Sequence, residues 1–506
     1  MANEIGTAND LEDLFGKIVA FLTSNASLVA AGQAWQVLRQ RRDNLAALVS
    51  NMTDPTNVRY RTMIHTCRYD CRSLNTNDPS TAYLGEFYAS ATMGTSFVQM
   101  QLRQAREVKT VRVRAAQSTG IVQYSLRNFR LQYSDDASSW TTALTVSGVN
   151  AFTVGEWRDY AVSGSPGVHL YWRVIVDSTN NGGTSAVAWS SLLLLEADGT
   201  VSNHFGSEVI LKAPGLSGAD EIFTGIRSEY AAAPGWYNLF FNGYSGFDPN
   251  EQSWFSHPGA LPGVGSAYPL SVPMVPCWNT AMPYWFVASG RSFRLGLKVS
   301  TSYEGGYLGF YLPYATPQQY PYPLAVGGSL VPQDSYRSAE WRYSYANWRH
   351  GVYPAPGGDS VPTGEGVSAT LYIRAAEGDW RYVANRPNSG VATADGLYGP
   401  NQGASAPYAP TGGWRSVWPH CMNDQWTSGK RPYRECLGGG YMPQPCVILQ
   451  RGPSPAVFGE LEGTFVVSGY QNSSENTTTI NGTPAVIFQN AYRNTIHEFW
   501  ALTLDN

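Results

Sequence analysis

The sequence predicts a mainly β protein, with N-terminal helices, a β-sandwich jelly roll and a larger, irregular β-rich C-terminal body. Three observations carry this. Only 14% of the 506 residues are charged, against roughly 25% in an average domain. Gly (51), Pro (31) and a 13% aromatic share give a chain rich in turn formers and ring-bearing strand residues. From about residue 105, apolar side chains recur with period two. Hydrophobic residues at 43% suffice for several cores and exclude a mainly disordered chain. A net charge of −4 excludes electrostatic capture of nucleic acid or an anionic membrane. Arg outnumbers Lys by 29 to 5.

Residues 9–50 carry the helical pattern. Asn9 reads as an N-cap with acids in the turn behind it. Leu11, Leu14, Phe15, Ile18, Val19 and Leu22 then make one apolar face. A second helix is expected from about Ser27, with Trp35 and Leu38 inward and Arg39, Arg41 and Arg42 solvated. Glu4, Asp10, Glu12 and Asp13 stand where a signal peptide needs positive charge, so synthesis in a cytoplasm and free buried thiols are expected. The sequence shows no run of ~18 apolar residues, so no membrane insertion is expected.

The strands follow. Val111 and Val113 alternate with Arg112 and Arg114. Phe129, Leu131 and Tyr133 alternate with polar neighbours, as do Leu170, Trp172, Val174 and Val176 with Tyr171, Arg173 and Ile175. Turn clusters at Ser134–Asp136 and Asn180–Gly183 separate them. Farther on, Phe293, Leu295, Leu297 and Val299 form one strand face, and Val367, Ala369, Leu371 and Ile373 another. Long irregular stretches such as 312–340 and 383–417 point to interface-forming loops. The expected division is 1–57 (helical), 58–204 (sandwich) and 205–506 (body, one unit with 1–57).

The segment 128–140, NFRLQYSDDASSW, resembles the discoidin-like, galactose-binding-like jelly roll, whose corresponding strand and turn read F-x-L-x-Y-S-D-D-G-x-x-W. FTVGEWRDYAV (152–162), HLYWRVIVD (169–177) and LLLLEA (192–197) follow in that family's order, so the resemblance spans roughly 60–200. Ala137 stands where the family has a turn glycine. The resemblance implies ligand contacts at loops on one end, with aromatic rings stacking on sugars. Trp189, Tyr83 and Tyr88 are the candidate carbohydrate-binding residues, while Trp140 and Trp172 read as core or interface packing.

A second resemblance covers the rest. LEDLFGKIVAFLTSNASLVAAGQAWQVL (11–38), ILKAPGLSGADEIFTGI (210–226), the stretch 287–328 and SGYQNSSENTTTINGTPAVIFQNAYRN (468–494) look like a family of tailed-bacteriophage virion proteins. It implies a tail, baseplate or tail-fibre protein, assembled in the bacterial host cytoplasm with other tail proteins and copies of itself. It names no catalytic residue.

Catalytic and metal motifs are weak. Glu460 and Glu462 would share a strand face, with alpha carbons about 6–7 Å apart, as a two-carboxylate glycosidase needs. His420, Cys421, Cys436 and Cys446 lack zinc-ligand spacing, and His65, Cys67 and Cys71 make a loose set that leaves a disulfide, a metal site or free thiols open. No Walker loop, nucleophile elbow or H-E-x-x-H occurs. The expectation is therefore a non-enzymatic virion protein without cofactor or metal, whose jelly roll meets a host cell-surface polysaccharide. The alternative is a carbohydrate-active enzyme with a binding module.

Overall fold

The computed structural model describes residues 1–52, 87–116, 119–182, 186–231, 236–251, 257–261, 273–314, 318–328, 371–374, 380–383, 414–418, 443–451, 456–467, 472–489 and 499–504, with Trp254, Thr316 and Gly378. Most of the assigned structure is strand, as expected.

The helix Leu11–Ser24 forms where the period-3.6 face predicts it, and Leu11, Leu14, Phe15, Ile18, Val19, Phe21 and Leu22 are buried. Its cap is Asp10, one residue later than expected: the Asp10 carboxylate accepts from the Asp13 N–H at 2.8 Å. Asn9 bonds the Asp13 carboxylate instead. Residues 11–30 hold an 18-residue window with a mean hydropathy of 1.2, as apolar and long as a membrane span. They are two helices broken at Asn25, however, and the first buries its apolar face in the body core.

The second helix is only Ala26–Ala30. Gly32 turns the chain with φ +65°. Gln36–Arg41 is then a strand rather than the expected helix, because it satisfies its backbone against Glu208–Ala213, with Ile210 opposite Arg39. Trp35 is buried as expected, and its indole N–H donates to the Ser289 carbonyl at 2.9 Å. Arg39 and Arg41 are not solvated: their side chains are 13% and 16% exposed and face Glu208.

The body stacks three antiparallel sheets. The first runs in the order Met274–Cys277, Trp236–Tyr244, Ile222–Ala231, Glu208–Ala213, Gln36–Arg41. The second begins at Ala2–Ala8 and continues through Met282–Ala288, Ser292–Val299, Ser302–Phe310, Leu324–Gly328, Leu371–Arg374 and Trp380–Val383. Helix Leu11–Ser24 and these two sheets share one core, in which Phe15, Ile18 and Phe21 join Ile210, Phe241 and Phe293. The second sheet's other face packs Trp285, Tyr307 and Ile373 on Ile448, Leu461 and Trp500 of the third, which runs Trp414–Trp418, Gln444–Arg451, Ala456–Val467, Phe499–Thr503, Thr483–Gln489, Thr477–Ile480. Being covered on both faces explains why Ser292–Val299 is almost wholly buried. Gly306 permits the close approach: a Cβ there would lie 2.5 Å from the Phe241 ring.

The sandwich has its own core. A five-stranded sheet runs Leu45–Ser50, Phe97–Arg106, His169–Thr179, Leu126–Ser134, Thr141–Val146. A three-stranded sheet runs Ser191–Leu195, Thr110–Arg114, Trp157–Ala161, and Phe87–Ser90 pairs with Ala186–Trp189. Leu45, Met100, Leu131, Trp172, Trp189 and Leu194 belong to one cluster drawn wholly from this stretch. The expected start at residue 58 is too late. Leu45–Ser50 is an edge strand of the sandwich, with Leu48 opposite Met100. Its short LAALVS pattern is hidden inside a stretch that reads as helical.

Entry and exit lie side by side. The Asn44 and Leu45 N–H groups donate to the His204 carbonyl at 2.9 and 3.1 Å. The Asp43 N–H donates to Ser207 Oγ, and the Gly206 N–H to the Asp43 carboxylate, both at 3.0 Å. The sandwich is thus set into the body through a two-stranded neck, between Arg41 and Glu208.

Candidate functional site on the sandwich

Of the three expected sugar-contacting residues, Trp189 is the one whose side chain is described. Trp189 has no exposed area; it lies in the sandwich core with Trp172 and Leu192. This corrects its assignment as a ligand contact, because period two on Ala186–Trp189 sends Val187 and Trp189 inward. Tyr88 stands on the neighbouring strand, its backbone opposite Ala188. Tyr83 lies outside the described residues, as do His65, Cys67, Cys71, His420, Cys421 and Cys436.

Trp140 is half-buried and packed. The Arg173 guanidinium lies 4.0 Å from its ring centroid and 5.6 Å from that of Phe97. Arg173 Nε also donates to Gln132 at 2.8 Å. This is a packed outer sheet face with its rings already in contact.

A more open surface lies on the small sheet, away from the residues the sequence singles out. Trp157 begins the edge strand Trp157–Ala161 and is 37% exposed. Register puts Trp157 opposite Arg114 and Asp159 opposite Arg112, all on one face. The Arg114 guanidinium sits 5.4 Å from the Trp157 ring centroid, in cation–π range, and Arg114 Nε donates to the Gly155 carbonyl at 3.2 Å. Arg112 makes a two-pronged bond to Asp159, both N···O distances 2.7 Å. On the other side of Arg112 the face closes over Leu193, Leu195 and Val201. An exposed indole flanked by a fixed guanidinium–carboxylate pair can stack on a pyranose ring and bond its hydroxyls. The alternation of Arg112 and Arg114 with Val111 and Val113 marks this face in the sequence. The register against WRDYA does not show until the strands pair.

The two glutamates diverge. Glu462 is 3% exposed and bound by Arg291 Nη2 at 2.9 Å and Ser292 Oγ at 2.5 Å. Burial alone would raise its pKa, but Arg294, Arg291 and Ser292 together hold it below the ordinary value. A carboxyl kept ionised is unsuited to be the general acid. Glu460 accepts from the Tyr314 hydroxyl at 2.7 Å. The Cys446 thiol is buried and pushed up to about 12, so it is inert, and the Cys277 thiol is also buried and donates to the Val275 carbonyl at 3.3 Å. Among the described residues, no group of three His, Cys, Asp or Glu side chains is placed to hold a metal ion.

The strands between Leu45 and Leu195 therefore define a β-sandwich module carried by a layered β body. No protein-family model matches the sequence, and no curated protein matches it. Among solved structures, the chain is similar to the family 32 carbohydrate-binding module of Streptococcus pneumoniae EndoD (16% identity, 33% of this chain and 98% of that chain, TM-score 0.21). It is also similar to the CpGH89CBM32-5 module of Clostridium perfringens, solved with GalNAc-β-1,3-galactose (8% identity, 29% and 91% covered, TM-score 0.21). A third is the F5/8 type C domain of a Bacteroides fragilis protein (9% identity, 32% and 95% covered, TM-score 0.23).

Proposed function

We propose that this protein is a non-catalytic component of a tailed-phage virion, in the tail, baseplate or tail fibre, and that its sandwich meets a host cell-surface polysaccharide. The observation that carries the glycan half is the Trp157 surface, an exposed ring beside Arg114 and the Arg112–Asp159 pair on an edge strand. The virion half rests on the sequence resemblance on either side of the module. The neck supports display, since its short linkers hold a separately cored unit on the body. Many copies on one particle would turn weak sugar contacts into firm attachment.

Antibody labelling of particles by electron microscopy tests the virion half: label is expected on the tail, and its absence from particles refutes it. Incubation with host capsule and lipopolysaccharide tests the non-catalytic half. Chain lengths should stay unchanged, and shortening abolished by Glu460→Gln or Glu462→Gln would make the protein an enzyme.

A further inference from the structure

A cavity lies at the neck, apart from the Trp157 surface, and goes beyond the reading above. It has a volume of ≈ 560 Å³ and is walled by Arg39–Asn44, by Arg103, Gln104 and Arg106 of the long sandwich strand, and by the turn at 196 and 198–201. That size suits a small molecule of one or two sugar rings, and clefts where two units meet are preferred ligand sites.

Its walls carry excess positive charge. Arg39, Arg41, Arg42, Arg103 and Arg106 line it against Asp43, Glu196 and Asp198. Those carboxylates are engaged. Asp43 accepts from Arg103 at 2.9 Å, from the Tyr230 hydroxyl at 2.9 Å and from the Gly206 N–H at 3.0 Å. Asp198 closes its own turn on the Thr200 N–H at 2.9 Å, and Glu196 lies 3.7 Å from Arg106.

Behind the wall, one buried carboxylate, Glu208, is shared by Arg39 at 3.4 Å, Arg41 at 3.1 Å and Arg227 at 2.9 Å. Arg39 Nε and Nη2 are buried without a hydrogen-bond acceptor. Arg42 is exposed, leaning on the Phe15 ring and on the Gln40 amide oxygen, which in its satisfied orientation accepts at 3.0 Å. Gln104 accepts from Arg106 at 2.7 Å, so its amide nitrogen remains to donate.

We propose that the neck cleft binds a small hydroxylated anion of the acidic-sugar class, its carboxylate met by Arg42 and Arg106 and its hydroxyls by the Gln40 and Gln104 amides. Guanidinium forks match a carboxylate two-pronged. The occupant touches both the body strand and the sandwich strand, and so braces the module on its support.

Calorimetry on the full chain with glucuronate, glucose and inorganic phosphate tests this. Glucuronate should bind saturably at one site, glucose should not bind, and phosphate should bind more weakly. Arg42→Gln with Arg106→Gln should weaken glucuronate about tenfold or more, the size of a lost charge-assisted bond. Arg106→Ala alone, which removes a partly exposed side chain, serves if the double variant does not fold, and Arg106→Lys should retain part of the affinity. Trp157→Ala should leave glucuronate binding unchanged. The proposal is overturned by no saturable binding, by affinity indifferent to the arginine variants, by glucose or phosphate binding as tightly as glucuronate, or by loss with Trp157→Ala.

Discussion

The Asn44 N–H donates to the His204 carbonyl at 2.9 Å, tying the chain entering the sandwich to the chain leaving it. Around that bond, Asn44 Nδ2 reaches the Ser202 carbonyl at 2.8 Å, and Glu12 of the first helix accepts from Ser207 and Ser228 at 2.5 Å each. The neck is therefore a fixed joint between two separately cored bodies, which allows each to be tested alone.

Fragment 43–206 should fold by itself, with β-type circular dichroism and a cooperative melt. Fragment 58–204 should melt lower, because it loses the edge strand that carries buried Leu45 and half-buried Leu48. Removing that contact should cost about 2–5 kcal/mol, as large core truncations do. Equal melting of the two fragments would place the boundary after Ser50 after all.

Glu208→Gln should destabilise the full chain by about 3–5 kcal/mol, since it leaves Arg39, Arg41 and Arg227 buried without their shared carboxylate. Burial pushes Glu208 up, but Arg41, His204 and Arg39 bring its pKa well below the carboxylate range. Its contribution is thus full above the unfolded value of about 4.3 and lost as pH falls through the folded value. Burial holds His204 below its ordinary pKa, so stability also falls as pH drops beneath about 6.5, where the unfolded chain takes the proton first. Glu12, raised by burial, works in the opposite direction. Melting curves from pH 8 to pH 3 should show wild type losing stability on the acid side, with a flatter acid limb in Glu208→Gln.

Ala137→Gly should stabilise the sandwich by about 1 kcal/mol, the cost of holding a Cβ in the left-handed region. Ala137 sits at φ +58° in the Ser134–Trp140 turn. Asp136 fixes the turn by accepting from the Ser138 and Ser139 N–H groups at 2.8 and 2.7 Å. A lower denaturant midpoint in the glycine variant would refute this.

Trp189→Ala should lower stability by about 3–5 kcal/mol, the cost of truncating a fully buried indole. Loss of glycan binding with an unchanged melt would instead restore Trp189 as a ligand contact.

Much of this architecture was legible in the sequence because it is periodic. The faces of Leu11–Ser24, Leu126–Ser134, His169–Thr179 and Ser292–Val299 follow from spacing alone. Gln36–Arg41 was misread because its arginines look solvated until Glu208, distant in sequence, arrives beside them. The short Leu45–Ser50 strand was missed because six residues carry little periodicity and Phe97–Arg106 alone defines its pairing. The site was less legible. A tryptophan's type is the same in a core and on a surface, and only strand register separates buried Trp189 from exposed Trp157.

The most direct test of the glycan surface is binding of the full chain to purified host polysaccharide, measured with wild type and Trp157→Ala beside thermal melts of both. The surface reading predicts that Trp157→Ala loses about 1–3 kcal/mol of binding, a stacking contact's worth, while its melt stays within about 0.5 kcal/mol of wild type. Undiminished binding by Trp157→Ala, or no binding by wild type to any host polysaccharide, would contradict it.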